Sequence, residues 1–333
     1  MKKSQIIATI GACYFEEDCK LLKKLFSLGI HTFRFNLCKC TDIYSLKKRL
    51  DYINNSLIKV GSETKFMLDI PYPGRKPRVF FYNTNTMYLY KNQNIRISSI
   101  KVGASDYLEW WVDIPNIGII VNVGDRLIYG DGCCILTVNK IENSNSIIVS
   151  SDCEILVYST KSISFKYIIH SKITEDYVKA ITESNPHYIA ISFVEDYKDV
   201  QIYKDIFSGA NIISKVETLN GIKNLDDIAK ESDIMLGRGD LFLNANVCDL
   251  FFYQLNVKDV VHKYRRSFYL ATGLLASLEE KRIPSQADII DLTNALLLNT
   301  DYLIFNYGVM KESSEAVTRL CEDIYHSIIE HCN

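Results

Sequence analysis

The sequence lacks a surplus of charge of either sign: 38 Lys and Arg stand against 40 Asp and Glu, for a formal net charge of −2. A chain that holds nucleic acid or an anionic membrane electrostatically carries a basic excess, so neither partner is expected. No apolar stretch reaches the ~20 residues that a membrane-spanning helix needs. The start, Met1-Lys2-Lys3-Ser4, leads into only a short apolar run before Gly11, without the apolar core and cleavage site of a secretion signal. The ten cysteines are scattered and form no C-x-x-C pair, which argues against a metal or disulfide framework. These absences predict a soluble protein of the reducing cytoplasm. The length predicts one large domain, or one with an insertion.

What is there is charge at the ends of apolar runs. Lys215-Val216-Glu217 closes a run containing Ile212 and Ile213, and about two dozen residues later comes Gly237-Arg238-Gly239-Asp240. Residues alternate across a strand, so Lys215 and Glu217 project to one face. Two carboxylates, Glu217 and Asp240, beside an ammonium are what a magnesium ion and a phosphoryl group jointly require.

Short apolar strands alternate with longer helical patterns, the signature of βα units on a parallel sheet. Strands are predicted over residues 5–11, 32–36, 65–71, 188–193, 211–216, 234–238, 267–272 and 302–306. Helices are predicted over about 16–29, 42–59, 174–185, 196–207, 220–230, 247–264, 286–297 and 312–331. Eight such units make a TIM (β/α)8 barrel the natural closure, with the barrel formed by residues 1–76 and 166–333. Between residues 77 and 165 the helical periodicity vanishes and short β-like runs are punctuated by Gly, Asn and Asp. They predict a small all-β domain inserted after the third barrel strand, in the position of a lid over the barrel mouth.

In a TIM barrel the C-terminal strand ends share one mouth. Here they supply Arg34 and Asn36 from strand two, Asp69 from strand three, Lys215 and Glu217 from strand five, Gly239 and Asp240 after strand six, and Thr272 from strand seven. Alone, a strand-end Asp is more often a helix cap, and Lys215 with Glu217 an ordinary salt bridge. Together they form a cluster too costly to bury for structure alone. Glu217 and Asp240 are candidate Mg²⁺ ligands, and Arg34 and Lys215 candidates to neutralise a phosphoryl group. The amides at Gly239 and Asp240 suit a substrate carboxylate, and Thr272 a proton or water near the carbon skeleton.

At this point the chain resembles the pyruvate kinases. The resemblance runs over nearly the whole length through fragments in shared order, among them Phe33-Arg34-Phe35-Asn36, Leu68-Asp69, Ile191-Ser192-Phe193-Val194, Lys215-Val216-Glu217, Arg238-Gly239-Asp240-Leu241 and Ala271-Thr272. It implies transfer of the phosphoryl group of phosphoenolpyruvate to ADP with Mg²⁺ and usually K⁺. Lys215 then matches the lysine that stabilises the transferring phosphoryl group, Arg34 the phosphate-binding arginine, and Thr272 the threonine near the protonated enolate carbon. Glu217 and Asp240 match the magnesium ligands, and Asn36 and Asp69 two monovalent-cation ligands.

The departures are concentrated elsewhere. Cys38 replaces the family's cation-binding serine, and a neutral thiol is a poor ligand for an alkali ion, so potassium is the weaker expectation and a basic side chain such as Lys76 its substitute. On the nucleotide side Ala12-Cys13 stands for a proline-containing turn, Lys39 for a histidine, and Lys161-Ser162-Ile163-Ser164 for K-G-V-N. Lys39 and Lys161 are the candidate nucleotide contacts. Near the end, Asn306-Tyr307-Gly308-Val309 replaces S-G-E-T, setting a ring where a glycine stands. The chain ends after the eighth barrel helix, so the family's C-terminal regulatory domain and its intersubunit surface are not expected, and a monomer or smaller assembly is. Two other readings stay open: a Mg²⁺ enzyme binding phosphoenolpyruvate or another 2-oxo acid with a different acceptor or enolate chemistry, and a non-catalytic metabolite-binding relative.

Overall fold

Eight apolar strands lie in parallel and close on themselves: β1 (Gln5–Ile10), β2 (Thr32–Asn36), β3 (Lys65–Arg75), β4 (Tyr188–Ser192), β5 (Asn211–Val216), β6 (Asp233–Gly237), β7 (Phe268–Ala271) and β8 (Tyr302–Phe305). The sheet runs β3-β4-β5-β6-β7-β8-β1-β2, and β2 pairs back onto β3. This computed structural model describes residues 3–11, 16–38, 40, 42–101, 108–130, 132–165, 168–281 and 283–332. Its chain forms two compact units, one of residues 1–73 and 171–333, the other of residues 74–170.

The strands are buried on both faces, which is why they read as continuous apolar runs. Ile7, Met67, Ala190, Ile213, Met235, Tyr269, Ala271 and Ile304 fill the barrel interior. The alternate residues, such as Phe33, Phe35, Leu68, Ile191, Leu236 and Phe305, pack outward in a second core with the helices. Strand β2 gives the interior no large apolar side chain; Arg34 faces Thr9 of β1 and Met67 of β3 in register. The same register sets Asn36 beside Asp69.

Helix starts follow local chemistry. Asp42 and Ser285 each close a capping box with Ser45 and Asp288, and Thr218 and Asp196 accept from the amides of Gly221 and Lys198. Each such cap stabilises its helix by about 1 kcal/mol. The helices differ from expectation where the pattern crosses a break. Residues 220–230 form two helices, Leu219–Lys223 and Leu225–Glu231, because Asn224 departs from helical geometry. The segment after β6 turns at once into Arg238–Asn244, before a 3₁₀ turn and Leu250–Lys263. The last helix starts earlier, at Tyr307, and is kinked at Ser313.

The second unit is built on a seven-stranded sheet in the order Ile163–Ser164, Arg126–Tyr129, Cys134–Asn143, Ser146–Ser151, Asn94–Ser98, Leu108–Val112, Val79–Phe81, with Thr86–Leu89 and Ile155–Tyr158 pairing apart. Trp110, Leu127, Leu136, Val149 and Val157 are wholly or almost wholly buried in its core. It is not purely β: Ile117–Ile120 makes one helical turn. Gly118 permits it, since a Cβ there would stand 2.0 Å from the Asn143 carbonyl oxygen.

Candidate active site

The C-terminal ends of β2 to β5 converge on one buried carboxylate. Asp69, with no exposed surface, accepts from Arg34 Nε at 3.0 Å through Oδ2 and from Lys215 Nζ at 3.1 Å through Oδ1. Lys215 Nζ also lies 3.2 Å from Ser192 Oγ and 3.2 Å from Glu217 Oε1. Ser192 gives its own proton to the Ile70 carbonyl at 2.7 Å, which leaves its oxygen free to accept from Lys215. Arg34 is fixed at its far end by Nη1 donating to Thr9 Oγ1 at 3.0 Å.

Asp69, Lys215 and Glu217 each respond to their neighbours. Burial pushes the Asp69 carboxyl up, but Lys215 and Arg34 outweigh it and hold its pKa below the ordinary value. Burial works against the Lys215 charge, but Asp69 and Glu217 raise its pKa, so it remains an ammonium. Glu217 goes the other way: burial, then the neighbouring Asp240 and Asp69 carboxylates, push it up to about 7 despite Lys215. Its Oε2 accepts the Phe193 amide at 3.0 Å, with Phe193 at φ +54°.

The end of β6 approaches this cluster only because it is bare. A Cβ on Gly237 would stand 2.6 Å from Glu217 Cγ, and one on Gly239 would stand 2.8 Å from Thr272 Cγ2. Asp240 sits in the first turn of Arg238–Asn244. Thr272 follows β7 at φ +77°, a conformation costly for a β-branched residue. Arg238 holds it there: its guanidinium donates to the Thr272 carbonyl at 3.0 and 2.7 Å while bridging Asp291 with two bonds of 2.5 and 2.7 Å.

Arg34, Asp69, Lys215, Glu217 and Asp240 thus act on one another, with Gly239 and Thr272 packed together beside them. Asn36 adjoins Asp69, but its Oδ1 accepts the Cys38 amide at 2.8 Å. Lys161 belongs to the second unit, where its carbonyl accepts the Val79 amide. Lys39, Ala12 and Cys13 lie outside the described residues. Ser192, Thr9 and the Arg238–Asp291 clamp were missed from sequence. Ser192 had a signal, being the polar residue that ends β4, but a serine in an apolar run stands out less than a charge.

Tyr307, the ring in a glycine's place, is accommodated by Gly11: a Cβ there would stand 2.9 Å from the ring. Its hydroxyl donates to the buried Asp18 carboxylate at 2.9 Å.

The carboxylates of Glu217, buried, and Asp240, half-buried, fit a divalent cation. The Asp240 carboxylate is among the charges that raise the Glu217 pKa, which sets the two carboxylates close enough to share one ion as hard-oxygen ligands. The monovalent expectation stays the weaker one, because Cys38 offers a thiol where an alkali ion needs a hard oxygen.

A closed parallel barrel with cations and carboxylates gathered at its C-terminal strand ends defines a TIM-barrel protein with an enzyme-like mouth. The family model described as pyruvate kinase, barrel domain, matches residues 1–310, and the chain belongs to that family. It is 26% identical over 316 residues to the pyruvate kinase of Lactobacillus delbrueckii subsp. bulgaricus, covering 90% of this chain and 52% of that protein. It is 24% identical over 315 residues to the pyruvate kinase of Thermococcus litoralis, covering 91% and 65%. Over 134 residues, 39% of this chain and 30% of the relative, it is 35% identical to the pyruvate kinase of Methanocaldococcus jannaschii. The chain thus spans between half and two thirds of the length of the first two relatives. Among the described residues, no helix is long and apolar enough to cross a membrane.

Proposed function

We propose that the chain moves the phosphoryl group of phosphoenolpyruvate to ADP with Mg²⁺, giving pyruvate and ATP. The observation that carries this reading is the Lys215 ammonium, buried and held between Asp69, Ser192 and Glu217. Such a fixed, desolvated charge stabilises negative charge that develops on a transferring group far better than a solvated lysine does.

In this reading Glu217 and Asp240 hold Mg²⁺, which when bound neutralises charge on the phosphoryl and carboxylate oxygens. Arg34 binds the phosphate, and Lys215 supports it as its bond to the enol oxygen breaks and one to the terminal ADP oxygen forms. Thr272 positions the proton that the enolate carbon takes up. Asp69 touches no substrate; it keeps Arg34 and Lys215 aimed and charged. With the Cys38 thiol where the family has a serine oxygen, the reaction proceeds without K⁺.

One observation favours a second reading, transfer to an acceptor other than ADP: Tyr307 packs against Gly11 in a segment that departs from the family on the nucleotide side. Purified protein with phosphoenolpyruvate and Mg²⁺, with and without ADP and K⁺, tests both. Pyruvate release that needs ADP and ignores K⁺ is expected. Release independent of ADP rejects the ADP reading in favour of the second, and no release in wild type together with Mg²⁺-dependent stabilisation by phosphoenolpyruvate rejects the ADP reading and leaves another acceptor or a non-catalytic binder.

A further inference from the structure

The second unit holds a cluster that the barrel chemistry does not use. Strands Cys134–Asn143 and Ser146–Ser151 pair antiparallel with Leu136 opposite Ser151. Continued two residues, that ladder sets Cys134 opposite Cys153. Between them Asp152 pairs with Ile135: its amide donates to the Ile135 carbonyl at 3.0 Å, and its Oδ1 accepts the Ile135 amide at 2.9 Å. Cys134 Sγ lies 3.6 Å from the same Oδ1.

One donor atom from each of Cys134, Asp152 and Cys153 lies within 4.8 Å of the other two. Ligand atoms on a tetrahedral ion with bonds of about 2.0–2.3 Å stand roughly 3.3–3.8 Å apart, so a side-chain adjustment of about an ångström closes the set. The corner is held by Ser151, whose hydroxyl donates to the Cys153 carbonyl at 2.7 Å and lies 3.2 Å from Cys134 Sγ. Supports of this kind orient metal ligands from outside the coordination sphere. Burial is graded from Cys134, buried, through Cys153, half-buried, to Asp152, exposed, which leaves an approach from solvent.

We propose that Cys134, Asp152 and Cys153 form a site for a thiophilic divalent cation of the zinc class, with water as the fourth ligand. Two thiolates with one carboxylate select such an ion over magnesium. On binding, each thiol gives one proton to solvent, and the ion ties the first residue of one strand to the residues following its neighbour. The linear spacing hides the site, since no C-x-x-C is present and only the ladder brings the two thiols together.

The test is titration of the full-length, reduced protein with Co²⁺, in excess Mg²⁺ to fill oxygen-donor sites. One equivalent should give thiolate-to-cobalt charge-transfer absorption and the intense visible bands of a tetrahedral ion, both bleached by Zn²⁺. Cys153→Ser and Asp152→Asn, at accessible positions where folding is checked by circular dichroism, should lose the tetrahedral spectrum, and Cys248→Ser should keep it. No thiolate band in wild type, or an unchanged spectrum in Cys153→Ser, overturns the site. A Cys134–Cys153 disulfide in protein prepared without reductant, with no cobalt spectrum after reduction, overturns it in favour of a redox pair.

Discussion

The Lys215 ammonium and the Asp69 carboxylate meet at 3.1 Å, the lysine 7% exposed and the aspartate not at all. Asp69 is shared with Arg34, so one carboxylate holds two cations of the mouth. Replacing it with Ala leaves Arg34 without this carboxylate and Lys215 with Glu217 in place of two carboxylates. Loss of one partner of a buried ion pair costs about 3–5 kcal/mol, so Asp69→Ala should lower the urea midpoint by that equivalent. A variant as stable as wild type would mean that Arg34 and Lys215 do not depend on Asp69.

Lys215→Met keeps the volume and removes the charge. Turnover of phosphoenolpyruvate should fall by roughly 10²–10³-fold or more, as when a preorganised charge-stabilising group is deleted. Mg²⁺-dependent thermal stabilisation by phosphoenolpyruvate should weaken much less. Equal loss of both would make the lysine a ground-state binder.

Much of this was legible because apolar strands ending in charge are conspicuous. Arg34, Asp69, Lys215 and Glu217 could be placed at strand ends from alternation alone, and the structure shows them in mutual contact. What stayed hidden lacks a one-dimensional trace. Ser192 is small and uncharged within Ile191-Ser192-Phe193. The capture of the Asn36 oxygen by the Cys38 amide is a local turn that composition does not reveal. The Arg238–Asp291 clamp joins residues 53 apart in sequence, which only the closed barrel brings together.

Glu217 gives a pH dependence of definite sign. Its folded pKa, about 7, stands above the ordinary 4.5, so the folded state keeps a proton that the unfolded chain has released. Stability of the metal-free protein should therefore fall as pH rises from about 4.5 to 7, and Glu217→Gln should flatten that segment. Mg²⁺ must displace the same proton, so its apparent affinity should drop roughly tenfold per pH unit below about 7. Calorimetry in buffers of different ionisation enthalpy reads the released proton; no release at pH 6 would contradict the assignment of Glu217 as a ligand.

Thr272 couples strain to chemistry. At φ +77° a threonine costs about 1–3 kcal/mol that glycine does not. Thr272→Gly should raise the melting temperature or leave it unchanged, because strain relief offsets the lost methyl contact with Gly239. The same change removes the hydroxyl proposed to position a proton, so pyruvate formation should slow. A variant both less stable and fully active would reverse the argument.

Tyr307 and Gly11 provide the last test, because their fit is mutual. A Cβ on Gly11 would stand 2.9 to 3.0 Å from three atoms of the ring, so Gly11→Ala should destabilise by about 1–3 kcal/mol through overpacking. In a Tyr307→Ala background the added methyl meets no ring, and most of that cost should disappear. The double-mutant cycle should therefore return a coupling above the roughly 0.5 kcal/mol seen for independent sites. Additivity would mean that the ring moves aside freely. In that case the tyrosine is no fixed obstruction beside Gly11, and the case for an acceptor other than ADP loses its structural support.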